Sequence, residues 1–584
     1  NFLISFNTFR TWEGYRDNRE LNWNGNSYFT YLKIDDKADV ALLTEKIKDF
    51  KVESLPYERH NIEPLEDIHL HSDKPYEAEA NGSASRVRFL MAIALIIIIL
   101  SWLNYVNLST TKSMERAKET GIRKVAGAQK RQIIVQSFLE SLLLNGIAIV
   151  LAISIVFLML PIFNSYVGKE LGIGAATIGD FLPMLAFIVL GAVISGVYPA
   201  VVLSNYAPAK ALKGKIRASS AGLNIRKGLI IGQFLATIIL LIGTVVVTKQ
   251  IKFLQDQPIG AQLDQVVALN GELLDGSRDS LRTKGFETLN NELRKLTFVE
   301  GAVSTQTYPG GSYDNLSSNV GITFPNGMLD DKRIWYHYMV GQDYFDLLGM
   351  QFVAGGPFLV NTQGHSDQIV MNETFVKHMG IPRAEDAIGK TVKFFEQDWV
   401  IAGVIKDYHH FGLKTAIAPM LLRYGKGTGN LLVKLDLGSL STSGLSGAIS
   451  QLETKWKEIF PQSTFNYTFL DQKFEAQYKE DKAFGSAFQI FTILAILIAS
   501  MGLFGLTSYT CIQRRKEIGI RKVLGSSVFG IVQMLTSDFT KTVFIAILIS
   551  LPISFFIAKS WMANFAYGIE LSWWLFLLPV GFLN

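Results

Sequence analysis

The chain has 584 residues, 49% of them hydrophobic and only 18% charged, with a formal net charge of +5. That balance is too apolar for an ordinary soluble enzyme and too polar for a chain lying wholly in a membrane, so membrane helices joined to sizeable water-facing domains are expected. The small charge is gathered in a few loops, which argues against nucleic-acid binding. One cysteine, Cys511, excludes an internal disulfide framework and a cysteine-based zinc cluster. The sequence opens on Asn1 without a cleavable leader pattern, and both ends are expected to be cut ends of a longer protein.

In chain order, residues 1–88 read as water-facing, and uncharged runs of membrane length follow at 89–111, 141–168, 181–209, 228–248 and 483–513. A shorter run at 542–558 is expected to span with help from its neighbours, and a last one, 571–584, meets the end of the chain. A buried soluble helix could explain one such run but not five. Lys112, Arg116, Lys118, Arg123, Lys124, Lys130 and Arg131 follow the first run; Lys210, Lys213, Lys215, Arg217, Arg226 and Lys227 lie between the third and fourth. Arg514, Arg515, Lys516, Arg521 and Lys522 follow the fifth, whereas the alternate loops are nearly bare, with Lys169 and Glu170 in one and Lys559 and Glu570 in the other. Basic loops stay in the cytoplasm, so 1–88 and the long segment 250–482 are expected on the other side.

An internal repeat underlies this order. Arg116-Ala-Lys-Glu-Thr-Gly-Ile-Arg-Lys-Val-Ala-Gly-Ala128 aligns without gaps to Arg514-Arg-Lys-Glu-Ile-Gly-Ile-Arg-Lys-Val-Leu-Gly-Ser526, with nine of 13 positions identical. Both copies follow a membrane run and lead into another helix, so the chain reads as a tandem duplication. The expected units are a remnant of a first water-facing domain at 1–88, a membrane unit at 89–210, a cytoplasmic linker at 211–227 and a helix at 228–248. A second water-facing domain at 249–482 and a second membrane unit at 483–584 complete them. Against the second half, the first is expected to lack an opening helix and much of its domain.

Segment 249–482 is ordinary globular sequence. Thr391–Phe395 and Trp399–Ile405 read as strands, Asn372–Met379 and Leu445–Ile459 as helices, and Pro309-Gly-Gly and Pro325-Asn-Gly as turns. A mixed α+β domain is expected.

The duplicated Arg-x-Lys-Glu-x-Gly-Ile-Arg-Lys-Val-x-Gly resembles the FtsX-like permeases with MacB-type periplasmic domains. So do Leu103-Asn-Tyr-Val-Asn-Leu-Ser109 and Gly502-Leu-Phe-Gly-Leu-Thr507, which precede its two copies. In the domain, Asp343-Tyr-Phe, Leu348-Gly-Met350, Val370-Met-Asn-Glu-Thr374, Ile388-Gly-Lys390 and Val404-Ile-Lys-Asp-Tyr408 are similar to that family, as is the late membrane stretch Trp561-Met-Ala-Asn-Phe-Ala-Tyr567. The resemblance implies an α-helical polytopic membrane protein, a tandem repeat of four-helix FtsX-like units with the first helix missing, bearing α+β extracytoplasmic MacB-type domains. It also implies a bacterial inner-membrane location and a separate cytoplasmic ATPase, as a dimer, which binds ATP and Mg. No cofactor is expected in this chain, and a periplasmic client or adaptor is expected besides the bilayer. The implied work is relay of ATP-driven motion for export, extraction or mechanotransmission.

The duplicated segments are the strongest site candidates. Arg116, Lys118, Glu119, Gly121, Arg123 and Lys124, with Arg514, Lys516, Glu517, Gly519, Arg521 and Lys522, are expected to dock an ATPase. Plain positive-inside anchoring would explain the charges but not the shared Glu-x-Gly-Ile-Arg-Lys. Ile388-Gly-Lys-Thr391 lacks the glycine a phosphate loop needs, since Ala384 stands there, and reads as a turn into a strand. Leu445-Ser-Gly447 is too slight for a nucleotide signature.

Asp67, His69, His71 and Asp73 would share one face of a strand and could suit zinc, but a solvated polar edge is the simpler reading. Asp407, His409 and His410 read the same way. No hydrolase motif occurs. Glu140 is expected at the cytoplasmic border of its helix, where solvation is available, and Pro161, Pro183, Pro199 and Pro552 at helix ends or kinks. A secondary transporter would concentrate polar residues near the midplane, and these runs hold almost no charge there. A receptor would need a cytoplasmic output domain, and the loops are short.

Overall fold

The computed structural model describes residues 29–48, 50, 60–72, 74, 82–115, 117–168, 170–172, 185–186, 188–191, 193, 196–197, 220–271, 279–311, 316–360, 366–425, 429–439 and 444–581. Along these the helices are α1 (Val40–Lys48), α2 (Leu65–His71), α3 (Ala84–Glu115), α4 (Ala117–Val125), α5 (Lys130–Val167) and α6 (Ser220–Asp256). Next come β1 (Val266–Asn270), α7 (Asp279–Leu293), β2 (Val299–Thr305), β3 (Ser317–Asn319), β4 (Ile322–Thr323), β5 (Leu329–Asp330), β6 (Trp335–Val340), α8 (Tyr344–Leu347), β7 (Phe352–Gly355) and β8 (Gln368–Asn372). They are followed by α9 (Glu373–His378), β9 (Thr391–Phe394), β10 (Gln397–Ile405), β11 (Met420–Tyr424), β12 (Asn430–Leu435), α10 (Gly444–Ile459), β13 (Asn466–Phe469) and α11 (Leu470–Ala476). The last are α12 (Lys479–Gln513), α13 (Arg515–Val523), α14 (Val528–Met562) and α15 (Trp574–Gly581). The chain divides into a sheet-bearing unit (1–85, 258–412 and 417–474) and a helical unit (86–257, 413–416 and 475–584).

In the sheet-bearing unit the strands run β13-β1-β12-β2-β6-β11-β8-β10-β9-β4-β5, with β3 on β6 and β7 on β10. The first four pair antiparallel. With α7 joining β1 to β2 and α10 joining β12 to β13, they form a β-α-β-β-α-β unit of order 4-1-3-2, the split βαβ arrangement. The helical spacing of Ala448, Leu452 and Trp456 turns one stripe of α10 inward, onto a core with Val267, Leu269, Phe286, Leu289 and Leu431. All of β3 to β11 is inserted between β2 and β12. It has its own core around Trp335, Phe375, Phe394, Trp399 and Ile401, and parallel β8–β10 and β6–β11 pairs among antiparallel ones.

The motif segments of this unit meet one another. Asn372 Oδ1 accepts from Phe375 N and Met420 N, and its Nδ2 donates to Ala418 O, which caps α9 and fixes β11 beside it. Asp407 accepts from Thr374 N and Oγ1 at 2.8 and 2.9 Å, while its own N donates to Glu373 Oε2. Tyr338 Oη lies 2.7 Å from Tyr408 Oη and 3.2 Å from Tyr344 Oη. Burial pushes all three phenols up, so they stay protonated and share hydrogen bonds.

Two expectations need correction. Residues 65–71 are a helix, so Asp67 and His71 stand one turn apart and pair at 3.5 Å; the common strand face for zinc does not form. Asp73 lies outside the described residues, among which no metal-holding group of His, Cys, Asp and Glu occurs. His410 is not on a solvated edge. It is 2% exposed, packed against Tyr338, Tyr408 and Phe411, with no hydrogen-bond partner for either ring nitrogen among the described residues.

Burial pulls the His410 pKa down to about 3. Between about pH 6.5 and 3 the unfolded chain therefore binds a proton the folded one refuses, and stability falls as pH falls through that window. His337 shares the effect, with burial first and Arg423 second as causes. His410→Leu should remove one proton's share, about 1.4 kcal/mol per pH unit at most. Denaturation midpoints of variant and parent, followed from pH 7 to 4, check this; parallel pH profiles would contradict it.

Among the described residues of the helical unit five helices are long and apolar enough to cross a membrane, at Ala84–Ser109, Lys130–Val167, Lys227–Asp256, Lys479–Ile512 and Phe539–Met562. The expected run 181–209 falls mostly outside the described residues, and α15 lies within the expected run 571–584. The 38 residues of α5 would stretch about 57 Å, against a hydrocarbon core of about 30 Å. Hydropathy marks only the lipid-immersed length, which is why α5 begins at Lys130 and not at 141.

Two cores meet on α6: one face packs Phe234, Ile238 and Ile242 with Leu506 of α12, Ala546 of α14 and Phe576 of α15. The other packs Leu240 and Val247 with Ile93 and Leu100 of α3 and Phe488 of α12. Small residues permit the approach. A Cβ on Gly502 would sit 2.6 Å from Asn104 Oδ1, and one on Gly505 would clash with Leu108. The motif Gly502-Leu-Phe-Gly505 is thus the contact on which α3 lies. Pro161 and Pro552 lie inside α5 and α14, Glu140 is exposed on α5, and Pro183 and Pro199 lie outside the described residues.

Candidate coupling segments

Both copies of the repeat fold as a nine-residue helix, α4 and α13, set between a membrane helix and the next long one. Each carries its glutamate in the first turn and Arg-Lys in the last, the charge order that suits the helix dipole. Glu119 pairs with Arg123 at 2.6 Å and Glu517 with Arg521 at 3.1 Å, both one turn apart. Arg123 also reaches Gln136 of α5 at 2.9 Å; the corresponding position before α14's apolar stretch is Met534, which offers no such acceptor.

The helices also stop alike. Gly127 and Gly525 take the left-handed conformation, φ 97° and 88°. Gly127 N donates to Lys124 O and Ala128 N to Arg123 O; Gly525 N donates to Lys522 O and Ser526 N to Arg521 O. These are two Schellman ends, and they explain the last glycine of the repeat. The next residue caps the following helix in each copy. Gln129 forms a capping box with Gln132 ahead of α5, and Ser527 Oγ accepts from Gly530 N at 3.1 Å ahead of α14. Sequence reading missed these caps, although the ungapped match runs straight up to them.

Among the expected site residues, Glu119, Arg123, Lys516, Glu517, Gly519, Arg521 and Lys522 are exposed, and Lys124 and Arg514 are half-buried. Gly121 is buried whereas Gly519 is open, with nothing within 4 Å of an added Cβ. Arg116 and the side chain of Lys118 lie outside what is described. An unexpected feature accompanies the charges: apolar side chains stand out at the same places. Ile122 and Val125 are exposed in α4, and Ile520, Val523 (88%), Leu524 (78%) and Phe529 (77%) in and after α13. Bare apolar tips beside paired charges suit contact with a protein or with the membrane surface.

A set of membrane-length helices, with one charged helix–turn–helix device present twice and a mixed α/β domain in the intervening chain, defines a polytopic membrane protein of duplicated build. A family model described as FtsX-like permease C-terminal matches residues 91–208 and 489–583, one stretch around each copy. In these two stretches the chain is similar to the FtsX-like permeases. Its relatives include the macrolide export ATP-binding/permease protein MacB of Aggregatibacter actinomycetemcomitans, 27% identical over 243 residues, 40% of this chain and 36% of that protein. The protein of the same name from Salmonella typhi is 20% identical over 249 residues, 42% and 38% of the two chains. This chain thus matches under two fifths of the length of either relative. Among solved structures, the periplasmic region of MacB from Actinobacillus actinomycetemcomitans matches with a TM-score of 0.27 and 18% identity, over 38% of this chain and 95% of that one.

Proposed function

We propose that the chain is the permease subunit of an ABC transporter, which takes up the motion of ATPase subunits at α4 and α13 and relays it to the sheet-bearing unit across a bacterial inner membrane. The observation that carries this is the pair of matching helices, each with an internal Glu–Arg pair, a Schellman end and bare apolar tips. Two like docking helices suit two like ATPase subunits. ATP and Mg would be bound by that partner, in a separate chain, and the basic loop charges support a cytoplasmic side for α4 and α13. A client or adaptor protein would meet the sheet-bearing unit outside.

The test has two arms. The purified chain should hydrolyse ATP only once its ATPase is added; hydrolysis by the clean chain alone would contradict the division of labour. An impermeant thiol reagent on intact cells should label Ser366→Cys and spare Cys511, which lies in the last turns of α12. Labelling of Cys511 with protection of Ser366→Cys would invert the sidedness.

A further inference from the structure

Between β10 and β11 the chain leaves the sheet-bearing unit after Gly412, lends residues 413–416 to the helical unit, and returns at Ile417. Both flanking strands pair with β8, so this excursion starts and ends at strands one apart in the sheet. Within the helical unit it is held at three points. Leu413, buried, donates its N–H to Tyr478 Oη at 3.0 Å. Lys414 O accepts from Ala566 N at 3.0 Å. Lys414 Nζ forms an ion pair with Asp481.

Asp481 is 5% exposed, in the first turn of α12. Its Oδ1 lies 2.9 Å from Arg86 Nη2 at the start of α3, and Arg86 Nη1 reaches Glu480 at 3.1 Å. The cluster therefore holds two cations and two carboxylates. The connector that carries Ala566 is itself clamped. Gln250 of α6, fully buried, accepts from Ile569 N and donates to Tyr567 O, both at 2.9 Å.

Asp481 is the buried member, its cations Arg86 and Lys414 being 31% and 29% exposed, so an arrangement that pulls both away strands its desolvated charge. Here one carboxylate holds two cations from different parts of the chain, one on α3 and one on the excursion. A shift of α12 against α3 must strain or break that shared grip. We propose that Asp481 is a positioning residue for coupling: it makes the Arg86 end of α3, the Lys479 end of α12 and the strap 413–416 move together. Displacement of the helices then reaches β10 and β11 through the chain itself. This rests on the reading that the protein transmits motion.

Lys414→Met is the discriminating variant. It keeps the aliphatic stem and leaves Asp481 its Arg86 partner, so no buried charge is orphaned. Full-length protein in membranes, with its ATPase added, is read in two ways. Hydrogen exchange should quicken in peptides covering 413–416 and 564–569 and stay unchanged at β1 and β12. A spectroscopic label on Ser366→Cys should respond to ATP in the parent, lose most of that response in Lys414→Met, and regain it in Lys414→Arg, while ATP hydrolysis stays at the parent rate. A responsive parent whose Lys414→Met form responds equally overturns the strap alone, as does unchanged exchange at 564–569. A parent silent to ATP contradicts the transmission reading and removes the inference with it.

Discussion

Reversing both repeat glutamates, Glu119→Lys with Glu517→Lys, should leave a folded, membrane-inserted protein that no longer captures its ATPase or stimulates ATP hydrolysis. Each glutamate is exposed and paired within its own helix. Such pairs contribute about 0.2–0.5 kcal/mol, and like charges cost a similar amount, so the change per helix is about 1 kcal/mol or less. A stable protein tolerates that. At an interface the same reversal sets like charges against the partner and can cost several kcal/mol. Membrane expression, pull-down and stimulated hydrolysis should be compared in the same preparations. Normal capture and normal stimulation would remove α4 and α13 from the coupling role.

The second large effect is structural. Trp456→Ala should destabilise the split βαβ part by about 3–5 kcal/mol, the usual loss for truncating a buried aromatic. Trp456 is 1% exposed between Phe286 and Phe460, and its indole N–H has no hydrogen-bond partner among the described residues, so the loss is one of packing. The inserted strands have a separate core. Hydrogen exchange should therefore quicken at β1, β12 and α10 and hold at β8 and β10. Uniform loss of protection would show that the two cores behave as one.

Much of this architecture was legible because the solvent dictates it. Lipid demands long uncharged runs, and helices fill those runs at α3, α5, α6, α12 and α14. The strands at Thr391 and Trp399 and the helices at Asn372 and Leu445 also stand where their patterns put them, within a residue or two. At 67–73 a period of two in Asp67, His69 and His71 mimicked a strand. The counter-signal was present, with Glu66 and Asp67 in a first turn and His69 and His71 in a last one.

His410 looked polar and solvated beside Asp407 and His409, although Tyr408 and Phe411 also flank it and pack on it. The rest of its burial comes from Tyr338, seventy-two residues earlier, and no local pattern reports that. The strap at 413–416 was invisible for the same reason: its partners Tyr478, Asp481 and Ala566 are distant in sequence. In the repeat the charges were readable, whereas the exposed Val523, Leu524 and Phe529 would ordinarily pass for core. Only the fold shows that none of the described residues covers them.

Those tips give the most direct test of the central claim. A photo-crosslinking amino acid placed at Val125 or at Val523, in otherwise native protein, reports what each repeat touches in the membrane. Both positions should capture one and the same polypeptide, which binds and hydrolyses ATP, and Glu119→Lys with Glu517→Lys should abolish both adducts. Adducts with lipid alone from both positions, while the ATPase still copurifies, would contradict the coupling account.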